Sequence, residues 1–321
     1  MRSPIVGAVD LTGITRFDTT VRGRYAPGVR CRGLTRRTVL GGLALGVLPP
    51  ARVVWAGPSY AGPLIDAHSH LNGPDSIEPL IAAMDRHRIG RVALLGVGGV
   101  QKDDPAWIGR AAEKHPTRVI AVAPVPDPLA PDAAQRLEKD LAGGRYRGAG
   151  EVHVHQASRK IRRALDGPPF RALLEVCAGR GAPLIVHDEL IGGVVPELER
   201  ALAQNRNATL VLAHAGSAEP SLLAGLLTRH ANLQVDLSGT HFLRTPALST
   251  EEGPLAPAWR TLLSERPDRF LAGIDLWAPA LFAPAMLDRL MSWTRRILGE
   301  LPPAAAERIA HLNATRLYRL Q

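Results

Sequence analysis

Residues 63–72, PLIDAHSHLN, set two histidines one residue apart at the end of a short apolar run. Leu64, Ile65, Ala67 and Leu71 read as a strand. On a strand, positions i and i+2 point the same way, so His68 and His70 share a face. Two imidazoles side by side after Asp66 pack poorly and grip a metal well. An H-x-H pair alone is a weak signal, so the reading depends on whether other segments supply more ligands.

From residue 63 onward, short apolar runs alternate with amphipathic stretches eight times. Strands are expected at 64–68, 91–97, 118–124, 148–154, 183–187, 209–214, 233–238 and 270–275. Helical patterns lie between them, for example SIEPLIAAMDRHR, PPFRALLEVCAGRG and VPELERALAQN, several ending in Gly or Asn. The Pro-rich segment 239–258 delays the seventh helix. Strict alternation implies a parallel sheet with helices outside it, and eight units in about 255 residues match a barrel. A doubly wound sheet is the rival, but GVGGV at 96–100 lacks the spacing and acidic partner of a phosphate-binding turn. The expected fold class is therefore α/β, a (β/α)8 TIM barrel over residues 63–321.

In such barrels chemistry sits at the C-terminal ends of the strands. His68 and His70 end the first strand; Glu151, His153 and His155 end the fourth. His187 ends the fifth, His214 the sixth and Asp275 the eighth. Strand parity puts Ile185 inward with His187, Leu210 and Leu212 beneath His214, and Leu271 and Gly273 with Asp275. It sets residues 151, 153 and 155 on one face, opposite Val152 and Val154. Four imidazoles with one or two carboxylates suit Zn2+, with Mn2+, Fe2+ and Co2+ also compatible. Such an ion brings the pKa of bound water to about 7. Asp275 is placed to orient that water and take its proton, and His214 to polarise a substrate oxygen.

The segments DAHSH, GEVHVH, LIVHDE, LVLAHAG and GID, in this order, resemble the amidohydrolase superfamily of metal-dependent barrels. The ending LPPAAAERIAHLNATRLYRL resembles the C-terminal helix of its amidohydrolase-related family. The resemblance implies that His68, His70 and His187 are metal ligands, that Asp275 is a ligand and proton acceptor, and that His214 is a ligand or base. Glu151 stands where many members carry a lysine. The TatD-like branch has a glutamate there, which implies that Glu151 bridges a second ion, so one or two ions fit. Asp275 lies in GIDLW rather than the commoner G-S-D-x-P.

Other residues carry weaker readings. His153 is either a ligand or its hydrogen-bonding neighbour. His155 faces substrate or solvent. Asp66 is expected to orient His68. His241 and Arg244 either meet a substrate carboxylate or sit on a solvated loop. Cys177 reads as a small buried apolar residue, and with Cys31 in the leader no internal disulfide is expected.

The net charge of +9 does not point to nucleic acid. Residues 1–56 hold nine Arg, no Lys and two Asp, giving +7, and the remainder has 30 basic and 28 acidic residues. That leader places Arg36–Arg37 before an apolar run from Val39 to Leu48, too short for a bilayer span of about 20 residues. It resembles a twin-arginine export signal with small residues near Ala56–Gly57, which implies export to the periplasm or beyond by the twin-arginine machinery. The favoured function is a metal-dependent hydrolase of a small amide, cyclic amide, ester or lactone. The alternatives are a metal-dependent non-oxidative decarboxylase, a TatD-like phosphodiesterase or DNase, and a non-catalytic barrel. The expected partner is a small-molecule substrate rather than nucleic acid.

Overall fold

The computed structural model describes residues 57–321 apart from 99, 100 and 102. The leader lies outside the described residues. Among the described residues, no helix is long and apolar enough to cross a membrane.

Eight parallel strands form the centre: β1 (Leu64–Ser69), β2 (Ile89–Leu94), β3 (Val119–Ala121), β4 (Ala149–Gln156), β6 (Pro183–Asp188), β7 (Thr209–Leu212), β8 (Leu233–Asp236) and β9 (Phe270–Leu271). A two-residue strand, β5 (Ile161–Arg162), pairs antiparallel with the end of β4 and was not expected from the sequence. β1–β2–β3 form one ladder and β4–β6–β7–β8–β9 the other. They close into a ring at two seams. Ala123 and Ala149 bridge in parallel beside β3 and β4. Across the other seam, the Ala67 N–H donates to Ala272 O at 2.8 Å and the Asp275 N–H to His68 O at 2.8 Å.

Helices α1 (Ile77–Arg86), α2 (Asp104–Lys114), α3 (Ala133–Ala142), α4 (Pro168–Arg180), α5 (Val195–Gln204) and α6 (Pro220–Arg229) follow the first six barrel strands. Each turns an apolar stripe to the barrel. α5, for instance, buries Leu198, Ala201 and Leu202, the three- and four-residue spacing of one helical face. α7 (Pro257–Glu265) comes only after a long loop from β8, and α8 (Pro284–Gly299) follows β9. That loop is anchored to α8 through the buried Glu300, which accepts the Leu255 N–H at 2.9 Å and pairs with Arg260 and Arg296.

Two apolar clusters result. The larger lies between strands and helices and contains Cys177, whose thiol burial pushes up to about 12. The smaller includes Ile65, Ala67, Ile120, Val122, Ile185, Val211 and Leu271, and fills the barrel interior. After α9 (Pro303–Glu307), a wider helical turn and α10 (Asn313–Leu317), Tyr318 closes that interior from below, its hydroxyl donating to Ala67 O at 3.1 Å. This packed floor leaves the opposite end of the ring for polar groups.

Candidate metal centre

Ile185 lies in the interior cluster and Leu184 and Val186 in the outer one, so β6 follows simple alternation. β7 does not. Val211 and Ala213 fill the interior, while Leu210 and Leu212 face the helices, the reverse of the expected parity. His214 nevertheless reaches the centre because the chain leaves the strand in a turn. His214, Ala215 and Gly216 all have positive φ, which re-aims the imidazole. β1 solves a similar problem with a register irregularity against β2 between Asp66 and Ser69.

The six residues expected at the mouth from β1, β4, β6, β7 and β9 come together there. His68 Nε2 and His70 Nε2 are 3.2 Å apart. Glu151 stands between two nitrogen sets. Its Oε2 is 3.8 Å from His68 Nε2 and 3.6 Å from His70 Nε2, and its Oε1 is 3.0 Å from His187 Nδ1 and 2.9 Å from His214 Nε2. Asp275 Oδ1 is 3.6 Å from His70 Nε2, and its Oδ2 is ion-paired with Arg244. All six side chains are buried.

Hydrogen bonds assign the imidazole protons. His70 Nδ1 faces Leu95 O at 2.9 Å, and a carbonyl only accepts, so the proton sits on Nδ1. His68 Nδ1 donates to Asp236 Oδ2 at 2.8 Å. His214 Nδ1 faces Ser238 O at 3.1 Å. His187 Nε2 lies 3.5 Å from Glu189 Oε1. With Nδ1 so engaged, His68, His70 and His214 each turn Nε2 inward, where the neutral ring offers a lone pair toward the other ring nitrogens and carboxylate oxygens. Such a convergence of acceptors is repulsive until cations lie between them. Tetrahedral zinc with ligands at about 2.0–2.1 Å sets neighbouring donors about 3.3–3.4 Å apart, close to the spacings here. Three triplets have their donor atoms within 4.8 Å of one another: His68, His70 and Glu151; Glu151, His187 and His214; and His68, His214 and Asp275. The donor set fits a divalent ion, and Glu151 joins two of the triplets.

The acid–base balance reflects the same crowding. Burial alone would push the Glu151 carboxyl up, but His214, His153 and His187 outweigh it and hold it well below the usual carboxylate range. Asp275 is lowered in the same way by His214, His70 and Arg244. Burial would push His68 down, yet Asp236 and Glu151 raise it well above a free imidazole. His153 goes the other way, since burial there exceeds the pull of Glu151.

Two glycines make room for these groups. Gly150 (φ 130°) lies where an added Cβ would sit 2.4 Å from Ile185 O. Gly239 (φ 62°) faces Asp275 Oδ2 and His214 Nδ1, each 2.9 Å from such a Cβ. Both positions combine a left-handed backbone with close approach, which only glycine tolerates.

Several weaker expectations are corrected. His155 does not line the mouth. A register irregularity between His153 and His155 turns it to Asp188 Oδ1 at 2.6 Å and toward Glu197 on α5. His241 is buried but is not among the residues lining the pocket, and its Nδ1 accepts the Leu243 N–H at 3.3 Å. Arg244 does line the pocket but is paired with Asp275. Asp66 does not touch the His68 ring. It accepts the backbone N–H groups of His68 (3.2 Å) and Ile274 (2.9 Å), fastening β1 to the segment that carries Asp275. The orienter of His68 is Asp236, a residue outside the expected site. Its Oδ1 also accepts the His214 and Ser238 N–H groups, both at 3.0 Å. A lone carboxylate at the end of the apolar strand LQVD was the available signal. His153 Nε2 is 3.2 Å from Glu151 Oε2, beside the centre.

The family model described as Amidohydrolase matches residues 65–320. The chain belongs to the amidohydrolase family. No curated protein matches it. Among solved structures, this amidohydrolase resembles an uncharacterized TIM-barrel protein from Bordetella bronchiseptica at 16% identity and TM-score 0.60, covering 81% of this chain and 99% of the other. It also resembles an amidohydrolase from Burkholderia multivorans (18%, TM-score 0.56, 81% and 100% covered). A third likeness is to a 5-carboxyvanillate decarboxylase from Novosphingobium aromaticivorans with bound manganese and 3-methoxy-4-hydroxy-5-nitrobenzoic acid (17%, TM-score 0.52, 77% and 82% covered). At these identities the likeness is one of fold, the barrel. Family and donor set together make the chain an enzyme dependent on a divalent metal.

Proposed function

We propose that this amidohydrolase is a hydrolase of a small amide, cyclic amide, ester or lactone, with His68, His70, Glu151, His187, His214 and Asp275 holding one or two ions, Zn2+ before Mn2+, Fe2+ or Co2+. The observation that carries the reading is Glu151, whose two oxygens face two separate nitrogen pairs. When bound, the metal supplies Lewis acidity and brings the pKa of water to about 7. Asp275, held ionised by its neighbours, orients the water and accepts its proton at a carboxylate oxygen. Arg244 steadies that carboxylate by its ion pair. Asp236 keeps the His68 proton on Nδ1 and so its lone pair turned inward. The neutral His153 holds Glu151 Oε2 from the pocket side.

Metal analysis of the purified protein tests this, together with a screen of amides and lactones before and after chelation. Turnover should vanish with the chelator and return with Zn2+, and Asp275→Asn should lower kcat at least about hundredfold with the fold intact. Full activity in either case refutes the assignment.

Decarboxylation of a small acid is the second reading. Arginines at the pocket and the likeness to a manganese-containing decarboxylase favour it, and CO2 release from an aromatic acid would decide for it. A polar pocket of about 140 Å³ and a near-neutral chain beyond the leader weigh against a nuclease. We further propose that residues 1–56 direct export by the twin-arginine route to the periplasm or beyond. A reporter fused to this segment should be exported, and Arg36→Lys with Arg37→Lys should stop it.

A further inference from the structure

The pocket above the metal centre holds a second arginine beside Arg244, and this one has no carboxylate partner. Arg159 follows β4 on the segment that leads to β5, is half-buried, and lines the pocket with Ser158, Gln156 and Arg244. The pocket's carboxylates are already engaged. Asp275 is ion-paired with Arg244, and the oxygens of Glu151 meet His153, His187 and His214. Among the described residues, the hydrogen-bond partner of Arg159 is His153 Nδ1, 3.3 Å from Nη1, and no carboxylate lies within ion-pair distance of its guanidinium. Since His153 Nε2 faces Glu151, its Nδ1 is free to accept from Arg159. The remaining N–H donors of a half-buried guanidinium have no protein acceptor. These donors remain open to the pocket, where a ligand oxyanion would pair with them.

We propose that Arg159 recognises a carboxylate on the substrate, so that the enzyme acts on a small acid whose reactive carbonyl lies toward Glu151 and Asp275. This deepens the hydrolase reading above and rests on it for the reactive carbonyl. The planar fork of arginine matches a carboxylate with two parallel hydrogen bonds. Arg244, held by Asp275, is the lesser candidate for this contact. The pocket volume of about 140 Å³ is below the ~300 Å³ at which pockets for drug-sized ligands begin, which selects a short acid.

The test uses malonate, succinate and glutarate against propionate, butyrate and valerate, titrated calorimetrically into metal-loaded protein. One carboxylate of each can go to the metal, and only the diacids have a second for Arg159. The best diacid should bind about 10–100-fold more tightly than its matched monoacid, as a charge-assisted bidentate contact implies. Arg159→Gln should abolish that difference at unchanged metal content and thermal midpoint, and Arg159→Lys should restore part of it. Equal binding of diacids and monoacids by the wild type, or a difference that survives Arg159→Gln, overturns the proposal. Hydrolysis of N-acylglycines against N-acylglycinamides separates it from the reading beneath. A diacid preference dependent on Arg159, with no hydrolysis of either series or of any amide, ester or lactone in the screen above, supports the anion site and refutes the hydrolase. Equal hydrolysis of both, indifferent to Arg159→Gln, supports the hydrolase and refutes the anion site.

Discussion

Asp236→Asn should weaken metal binding although residue 236 is not itself a proposed ligand. The carboxylate accepts on both sides: His68 Nδ1–H at 2.8 Å on Oδ2, and the backbone N–H groups of His214 and Ser238 at 3.0 Å on Oδ1. An asparagine has one acceptor and one donor end. If its oxygen stays on the backbone amides, its NH2 opposes His68 Nδ1 and drives the ring proton to Nε2, where the metal should bind. If the amide is turned over, the NH2 opposes two backbone donors that carry His214 and Ser238. The first arrangement takes from the metal the lone pair it needs on Nε2, and the second leaves donor against donor in a fully buried site. Loss of such an outer partner typically lowers metal affinity about 10–100-fold, or roughly 1.4–2.8 kcal/mol. Competition against a chromophoric chelator, with circular dichroism as a check on fold, measures it. A variant that binds Zn2+ within twofold of wild type would refute both the proton assignment and the role given to Asp236.

Three further outcomes are expected. His241 is pushed down to about 4, chiefly by burial, against about 6.5 in the unfolded chain, so its contribution to stability is complete above pH 6.5 and is lost as pH falls toward 4. The loss reaches about 3 kcal/mol near pH 4, and urea midpoints across pH 4–7 should lose that component of their slope in His241→Gln. Glu300→Gln should cost about 2–3 kcal/mol by calorimetry, less than for a fully enclosed pair because Arg260 can turn to solvent; a change below about 0.5 kcal/mol would refute the anchoring of the β8 loop. Gly150→Ala forces a Cβ against Ile185 O from a left-handed backbone and should cost at least about 2 kcal/mol while displacing Glu151, read as reduced metal content. Wild-type stability and metal content there would show that the close approach is not needed.

Much of this site is readable before any fold is drawn, and the reason is local. A strand's two-residue period and the placement of polar residues at the ends of apolar runs survive in the one-dimensional pattern. His68, His70, Glu151 and His187 were therefore visible, as were the eight barrel strands. Simple alternation breaks at β7, where a left-handed turn re-aims His214 and Leu210 and Leu212 face outward. It breaks again at His155, where a register irregularity turns the ring to Asp188. Neither a turn's handedness nor a bulge leaves a reliable mark in residue type at these positions.

The ring of strands, the helical stripes that cover it and the residue types able to hold a metal are legible in the chain, because burial and period are properties of short segments. Which partner each of those residues has emerges in the folded barrel alone. Asp236 meets His68 across 168 positions of chain, Arg244 meets Asp275 after a long loop, and Arg159 is left facing the pocket without a carboxylate. Such pairings depend on distances across the closed barrel, which no short window of sequence encodes.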